Sequence, residues 1–190
     1  VMAASDEAEL VRMINTSTEI NDRPCAFRYP RGTGLGSILP SINEKIEIGK
    51  SKIIKEGKKL AILNFGARLN ETLKAAENLL KKGVSITVVD ARFAKPLDEN
   101  LIWQLATTHE AIMTIEEGSI GGFGSHVVNF LTKKGLMDSN LKFRSLTLPD
   151  IFIDQDTPDK MYKVANLDSV SIEEKVLDLL NSNIVLKKQN

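Results

Sequence analysis

Two arginines end a short apolar stretch in the sequence Pro-Cys-Ala-Phe-Arg-Tyr-Pro-Arg-Gly at residues 24–32. An arginine is charged at any working pH and offers five N–H donors in a planar fork that suits phosphate or carboxylate. Pro30 holds the preceding residue extended, and Gly32 permits a sharp turn or a close approach to a ligand. Residues three apart on a strand face opposite sides, so we expect Arg28 and Arg31 to differ in role. Arg31, which follows the proline, is the better placed to bind an anionic ligand.

Polar or glycine-rich residues also follow three other predicted strands, at 64–68, 90–93 and 116–119. In open α/β sheets, ligands gather at the carboxyl ends of the strands. The carboxylates that accompany Arg92 there fit either an acid/base site or an internal ion-pair network. Because no nucleophile or histidine lies nearby in the sequence, we favour the network.

A cluster of four glycines separates a predicted strand from a predicted helix. Its backbone N–H groups could hold a phosphate, as at other helix N-termini. The spacing, however, matches neither the dinucleotide-binding motif nor the P-loop with its lysine. Tight packing of strand against helix is therefore the favoured explanation. The cluster consists of Gly118, Gly121, Gly122 and Gly124.

The two histidines and the single cysteine are too scattered to suggest a metal site. We expect His109, at a predicted helix end, and His126, early in the next helix, to be cap or interface residues. Cys25 lies in the predicted apolar strand, so we expect a small buried hydrophobic residue and not a reactive thiol. One cysteine excludes an internal disulfide and fits a reducing compartment, the cytoplasm or a plastid-type organelle.

Composition restricts the class of partner. The 190 residues include 25 Lys and Arg and 25 Asp and Glu, so the formal net charge is zero. Such a chain has no global field to attract nucleic acid or an anionic membrane, and its longest apolar runs are far shorter than a bilayer-spanning helix. We expect neither nucleic acid nor membrane as a partner. The first residues, Val-Met-Ala-Ala-Ser-Asp-Glu, lack a basic region, so we expect the chain to begin in mid-domain and not with a signal peptide.

Alternating strand and helix patterns predict an α/β fold with a mostly parallel mixed sheet flanked by helices, preceded by the tail of a second α/β domain. A Gly-, Ser- and Pro-rich connector supports a division into residues 1–36, a linker at 37–50 and a domain at 51–190. A hairpin-like turn at 56–58 is expected to join two neighbouring strands. Strands are predicted at 1–4, 25–29, 51–55, 59–64, 84–90, 111–116 and 141–148, and helices at about 5–19, 70–82, 96–108 and 171–180. One more helix is expected after the glycine cluster at 118–124, ending at about 134.

Taken together, several ordered motifs closely resemble the carboxyl-terminal part of the 1-deoxy-D-xylulose-5-phosphate synthase family, which is transketolase-like. Related transketolases and 2-oxoacid dehydrogenase β-subunits share this domain. The sequence Arg-Tyr-Pro-Arg-Gly followed by Asp-Ala-Arg-Phe-Ala-Lys-Pro-Leu-Asp favours the synthase. The resembling segments are residues 1–10, 28–32, 90–98, 114–124 and 148–150.

The resemblance implies a homodimeric enzyme that uses thiamin diphosphate and Mg²⁺. Enzymes of this family condense pyruvate with D-glyceraldehyde 3-phosphate and release CO₂, which is the first step of non-mevalonate isoprenoid synthesis. In the family, the second arginine of the 28–32 motif binds the substrate phosphate, which implies that role for Arg31, with Arg28 as its neighbour. The family's catalytic, cofactor-binding and metal-binding residues lie upstream of the position of Val1, so we expect this chain alone to be inactive.

Other functions stay open at this point. The chain is also compatible with a 2-oxoacid dehydrogenase β-subunit or with a transketolase-like fragment. A further alternative, from another class, is a non-catalytic module that binds a partner or a small anion beside Asp90, Arg92 and Glu117. Loss of the phosphate role of Arg31 would favour one of these alternatives.

Overall fold

Seven strands and six α-helices follow one another along residues 1–186, the part of the chain that the computed structural model describes. The strands are β1 (Met2–Ala3), β2 (Phe27–Arg28), β3 (Lys52–Lys55), β4 (Leu60–Phe65), β5 (Ile86–Asp90), β6 (Ala111–Glu116) and β7 (Lys142–Leu146). The helices are α1 (Glu7–Ser17), α2 (Leu69–Lys81), α3 (Glu99–Thr108), α4 (Phe123–Lys133), α5 (Pro158–Val164) and α6 (Ser169–Leu186). Within residues 1–186, no helix is both long enough and apolar enough to cross a bilayer.

Five of the strands form a mixed sheet in the order β3-β5-β4-β6-β7. The four strands β5, β4, β6 and β7 are parallel, and β3 is an antiparallel edge strand on β5. The predicted fold class, a mostly parallel mixed sheet flanked by helices, is confirmed. The division of the chain at 37–50 stays a prediction.

The two faces of this sheet pack against different helices. Side chains alternate along β4, so that Leu63 and Phe65 face one hydrophobic cluster and Leu60 and Ile62 face the other. Helices α3 and α4 cover the first face, and α2 and α6 cover the second. Coverage of both faces explains why β4 and β6 are apolar nearly throughout.

The first two strands make a separate small sheet. They are parallel, with Met2 opposite Phe27 and Ala3 opposite Arg28. The backbone N–H of Ala3 donates to the carbonyl of Arg92 at 3.0 Å, which ties β1 to the loop after β5. This connection brings the segment that follows β2 close to the carboxyl end of the main sheet.

The expected hairpin at 56–58 is wrong, because β5 lies between β3 and β4. The turn instead crosses the start of β5: Gly57 N–H donates to Thr87 Oγ1 at 3.0 Å. A Cβ at Gly57 would lie 2.2 Å from the backbone of Ile86, so only glycine allows this crossing. Pairing in the sheet is therefore set by contacts beyond the local turn.

The strand and helix starts near the amino terminus also differ from expectation. Strand β2 is two residues long, and Cys25 precedes it as an exposed residue, so the prediction of a buried cysteine is wrong. Helix α1 begins one residue later than predicted, because Asp6 is the N-cap and accepts from Glu9 N–H at 2.7 Å. The Ser5 hydroxyl instead donates to Asp90.

Candidate anion-binding site

A cleft of about 620 Å³ lies between the start of α1, the segment after β2 and helix α5. Ser5 and Glu7 line it on the α1 side, Arg31 and Leu35 on the loop side, and Tyr162 on α5. Its volume is in the range of about 300–1,000 Å³ that small-molecule sites occupy. The cleft is thus large enough for a sugar phosphate.

Arg31 lies in this cleft with an exposed side chain. Within residues 1–186, no hydrogen bond, ion pair or ring contact engages its guanidinium group. An arginine that spends none of its donors on the protein has all five available for an anion. Its role in substrate binding stays a prediction at this stage.

Arg28, three residues earlier, has different surroundings. Its Nη2 lies 3.4 Å from Glu116 Oε2, and its guanidinium carbon lies 4.8 Å from the centre of the Phe65 ring. The Glu116 carboxylate is 2% exposed, whereas the Arg28 side chain is 46% exposed. Arg28 therefore compensates a buried charge while part of it stays accessible, and its predicted contact with substrate remains a prediction.

The glycine cluster surrounds the Glu116 carboxylate. Gly124 N–H donates to Glu116 Oε1 at 2.9 Å. A Cβ added at Gly122 would lie 2.4 Å from Glu116 Oε2, and one at Gly118 would lie 2.6 Å from the same atom. The packing explanation is confirmed for these two glycines, and the protein's own carboxylate occupies the helix start where a phosphate was considered.

The residues around Arg92 form an ion-pair network, as favoured from the sequence. The Arg92 guanidinium contacts both oxygens of Glu9, at 2.8 and 2.9 Å, and Arg92 N–H donates to Asp90 Oδ1 at 3.1 Å. Burial raises the pKa of Asp90 to about 6. The part that Glu9 plays was not predicted, because it lies 83 residues from Arg92 in the sequence.

A second arginine, Arg68, forms another wall of the cleft. Its Nε lies 2.6 Å from Glu117 Oε1, and its guanidinium stacks 3.5 Å from the centre of the Tyr162 ring. Burial, with a contribution from the Glu117 charge, raises the pKa of Tyr162. This cluster was not predicted, because no helix was predicted at the residues of α5, which carries Tyr162. Arg68 differs from Arg31 in having its charge already compensated.

The start of α1 holds the loop that follows Arg31. Glu7 accepts hydrogen bonds from the backbone N–H groups of Leu35, Gly36 and Ser37 at 3.0, 2.6 and 2.8 Å. Backbone N–H groups, first its own and then those of the loop, keep the pKa of the Glu7 carboxyl below its usual value. The carboxylate therefore stays ionised and fixed in place.

The histidines lie apart from the cleft. His109 is the C-cap residue of α3, and its Nε2 lies 2.8 Å from Thr87 Oγ1, which confirms the expected cap role. Burial lowers the pKa of His109. His126 lines a separate cavity of about 390 Å³ between α4 and the loop before α3. The structure does not bring either one to Arg31.

The sequence of residues 49–172 matches the family described as the transketolase C-terminal domain. The match covers more than half of the 190 residues, so the chain belongs to this family. The mixed sheet with helices on both faces is the fold of that domain.

Two solved structures illustrate the likeness. One, described as a split-gene transketolase in an inactive β4 tetramer, has a TM-score of 0.80 and 25% identity, with 95% of this chain and 57% of that chain covered. The other is a transketolase mutant from Pichia stipitis in complex with xylulose 5-phosphate, with a TM-score of 0.50 and 13% identity. The match covers 70% of this chain and 18% of that chain. The second shows the fold alone. The chain thus spans little more than half of the first protein and less than a fifth of the second.

Transketolase-family proteins use thiamin diphosphate and a divalent metal ion. A metal-bound diphosphate needs a set of oxygen ligands from the protein. Among residues 1–186, no group of three or more His, Cys, Asp or Glu side chains is arranged to hold a metal ion. The described residues therefore do not fit the metal.

Proposed function

We propose that this chain is part of a thiamin-diphosphate-dependent carboligase of the 1-deoxy-D-xylulose-5-phosphate synthase type. The whole enzyme would condense pyruvate with D-glyceraldehyde 3-phosphate and release CO₂. The observation that carries the proposal is the exposed, uncompensated Arg31 in a cleft of about 620 Å³. Arg28 and Arg92, by contrast, each contact a buried carboxylate.

The contribution of this chain is recognition of the substrate phosphate. A guanidinium fork binds phosphate oxygens with two parallel N–H bonds, which fixes the orientation of the ligand as well as its position. Holding the phosphate in this way would orient the aldehyde end of the substrate toward the reacting centre. The thiamin cofactor, when bound, supplies the carbon–carbon bond chemistry.

We also propose that the cofactor and Mg²⁺ are held by residues outside this chain and that the active assembly is a homodimer of the whole enzyme. The solved split-gene transketolase is described as inactive in its β4 form, which is a precedent for an inactive isolated part. Assay of the isolated chain with both substrates should give no turnover. Turnover above background would contradict this division of roles.

The test of the phosphate site is Arg31→Ala in the assembled enzyme. A charge-assisted bidentate contact contributes about 1.5–3 kcal/mol, so the KM for D-glyceraldehyde 3-phosphate should rise about tenfold or more. The KM for pyruvate should change little. The control is Arg23→Ala, which removes an exposed arginine that, among residues 1–186, pairs only with its neighbour Asp22. If both KM values rose together in Arg31→Ala, the residue would hold the domain and not the substrate.

Transketolase activity is a second candidate, favoured by the TM-score of 0.80 with the split-gene transketolase. Such an enzyme also handles a phosphorylated sugar, so Arg31 would keep its role. The donor substrate distinguishes the two: the synthase requires pyruvate and releases CO₂, whereas a transketolase takes a ketose phosphate and releases none. Measuring CO₂ release by the assembled enzyme decides between them.

A further inference from the structure

The loop that carries Arg31 has a sequence with little intrinsic rigidity. Glycines alternate with other residues at Gly32, Gly34 and Gly36, and glycine has the largest backbone freedom of any residue. A side chain that must bind a phosphate in one geometry needs a fixed backbone. Something outside the loop must therefore hold it.

Two attachments hold this loop, one on each side of Arg31. Before it, Ala4 N–H donates to the Arg28 carbonyl at 3.1 Å, as part of the small sheet. After it, the Glu7 carboxylate accepts the three successive N–H groups of residues 35–37 at 2.6–3.0 Å. Asp6 adds a bond from the Ser37 hydroxyl at 3.0 Å.

The glycines of the loop fit this attachment. Gly36 has a φ of +84°, a conformation that other L-residues rarely adopt, and this turn directs its N–H toward Glu7. A Cβ at Gly34 would lie 2.8 Å from the carboxyl carbon of Glu7. Because three hydrogen bonds hold that carboxylate, it could not move aside without losing them.

We propose that Glu7 is a positioning residue for Arg31, an inference that rests on the proposed function. Its carboxylate fixes the loop and so fixes the guanidinium in the cleft. The same bonds offset the negative charge of Glu7, which also lines the cleft and would otherwise repel a phosphate. Glu7 acts on the substrate through the loop and makes no contact with the reacting atoms.

The experiment compares Glu7→Gln with Gly34→Ala in the assembled enzyme. The amide of Glu7→Gln presents an NH₂ donor to backbone donors and lacks the charge, so this variant should loosen the loop. Gly34→Ala should loosen it too, because the added Cβ would lie 2.8 Å from the carboxyl carbon of Glu7. The KM for D-glyceraldehyde 3-phosphate should rise about three- to tenfold, with the KM for pyruvate and the kcat nearly unchanged. With unphosphorylated D-glyceraldehyde, the KM should be unaffected. The matched control is Glu19→Gln, which removes an exposed carboxylate that pairs with Lys45, a residue of the segment 37–50.

A double-mutant cycle separates positioning from stability. In the Arg31→Ala background, Glu7→Gln should add nothing to the KM for the phosphorylated substrate, because the group that it positions is gone. Fully additive effects, or an equal rise for both aldehydes, would overturn the inference. If Glu7→Gln fails to fold, Gly34→Ala decides the same question alone.

The two proposals fail in different ways. If Arg31→Ala leaves the KM for D-glyceraldehyde 3-phosphate unchanged, the proposed function falls, and the role of Glu7 falls with it. If Arg31→Ala raises this KM but both Glu7→Gln and Gly34→Ala leave it unchanged, only the positioning role is overturned.

Discussion

The Ser5 hydroxyl donates to Asp90 Oδ2 at 2.6 Å, across 85 residues of sequence. This bond joins the turn between β1 and α1 to the carboxyl end of β5. Asp90 is buried, and Arg92 N–H donates to its other oxygen. The contact connects the α1 side of the cleft to the central sheet through one titratable group.

Asp90→Asn should alter the pH dependence of stability. Burial raises the pKa of Asp90 from 3.8 to about 6, so the folded protein binds this proton more tightly than the unfolded chain does. The stability that protonation contributes is complete below the unfolded pKa and is lost as the pH rises through the folded value. Asparagine does not titrate: its Oδ1 can accept from Arg92 N–H, and its NH₂ can donate to the Ser5 hydroxyl oxygen. From about pH 4 to pH 7 the variant should therefore gain about 2–3 kcal/mol relative to the original chain.

Denaturant unfolding at a series of pH values measures this difference. The control is Asp138→Asn, which replaces an exposed aspartate. Its free energy of unfolding should keep a nearly constant offset from that of the original chain. If the free energy of unfolding of Asp90→Asn also kept a constant offset from that of the original chain at every pH, the raised pKa of Asp90 would be contradicted.

Gly122→Ala should destabilise the fold around Glu116. The added Cβ would lie 2.4 Å from Glu116 Oε2, and this carboxylate is held by Gly124 N–H and Arg28. Overpacking and a disturbed buried charge together should cost about 2 kcal/mol or more. Thermal or denaturant unfolding measures the loss.

The matched control for that substitution is Gly32→Ala, where an added Cβ meets nothing within 4 Å. Its free energy of unfolding should change by less than about 1 kcal/mol. If Gly32→Ala and Gly122→Ala lowered the free energy of unfolding equally, the contact with Glu116 would not explain why residue 122 is a glycine.

Local patterns predicted the strands and most helices of this fold, because burial on both faces leaves apolar runs such as 60–65 and 111–116. They did not predict the pairing of β3 with β5, since a short turn such as 56–58 is compatible with a hairpin or with a crossing. The crossing depends on Gly57 meeting the backbone of Ile86, and a single sequence carries no record of that contact.

The site was predictable to a similar extent. Arg31 could be chosen as a candidate because its residue type and its position after Pro30 are local properties, and its role stays a prediction. Glu7 could not be chosen in this way, because its proposed role depends on backbone N–H groups about 30 residues away in the sequence. Tyr162 was missed because α5 is a seven-residue helix with no buried residue, so it leaves no periodic apolar pattern.

Cys25 should react in the native chain. Its side chain is exposed, and it is the single cysteine, so a thiol reagent such as DTNB should label one equivalent without denaturant. Cys25→Ser should abolish labelling and leave the free energy of unfolding within about 0.5 kcal/mol of the original. Labelling only after unfolding would contradict the exposed position.

Arg92→Met should cost more stability than loss of an exposed ion pair. It leaves the buried Glu9 carboxylate with Arg12 as its remaining partner, at 3.0 Å, so we expect a loss of about 2–4 kcal/mol. Adding Glu9→Gln removes the buried charge that Arg92 no longer balances and should restore part of the loss. Arg23→Met, at an exposed pair with Asp22, should cost at most about 1 kcal/mol. Denaturant unfolding of the three variants and the original chain measures these differences, and a double variant no more stable than Arg92→Met would exclude the charge of Glu9 as the cause.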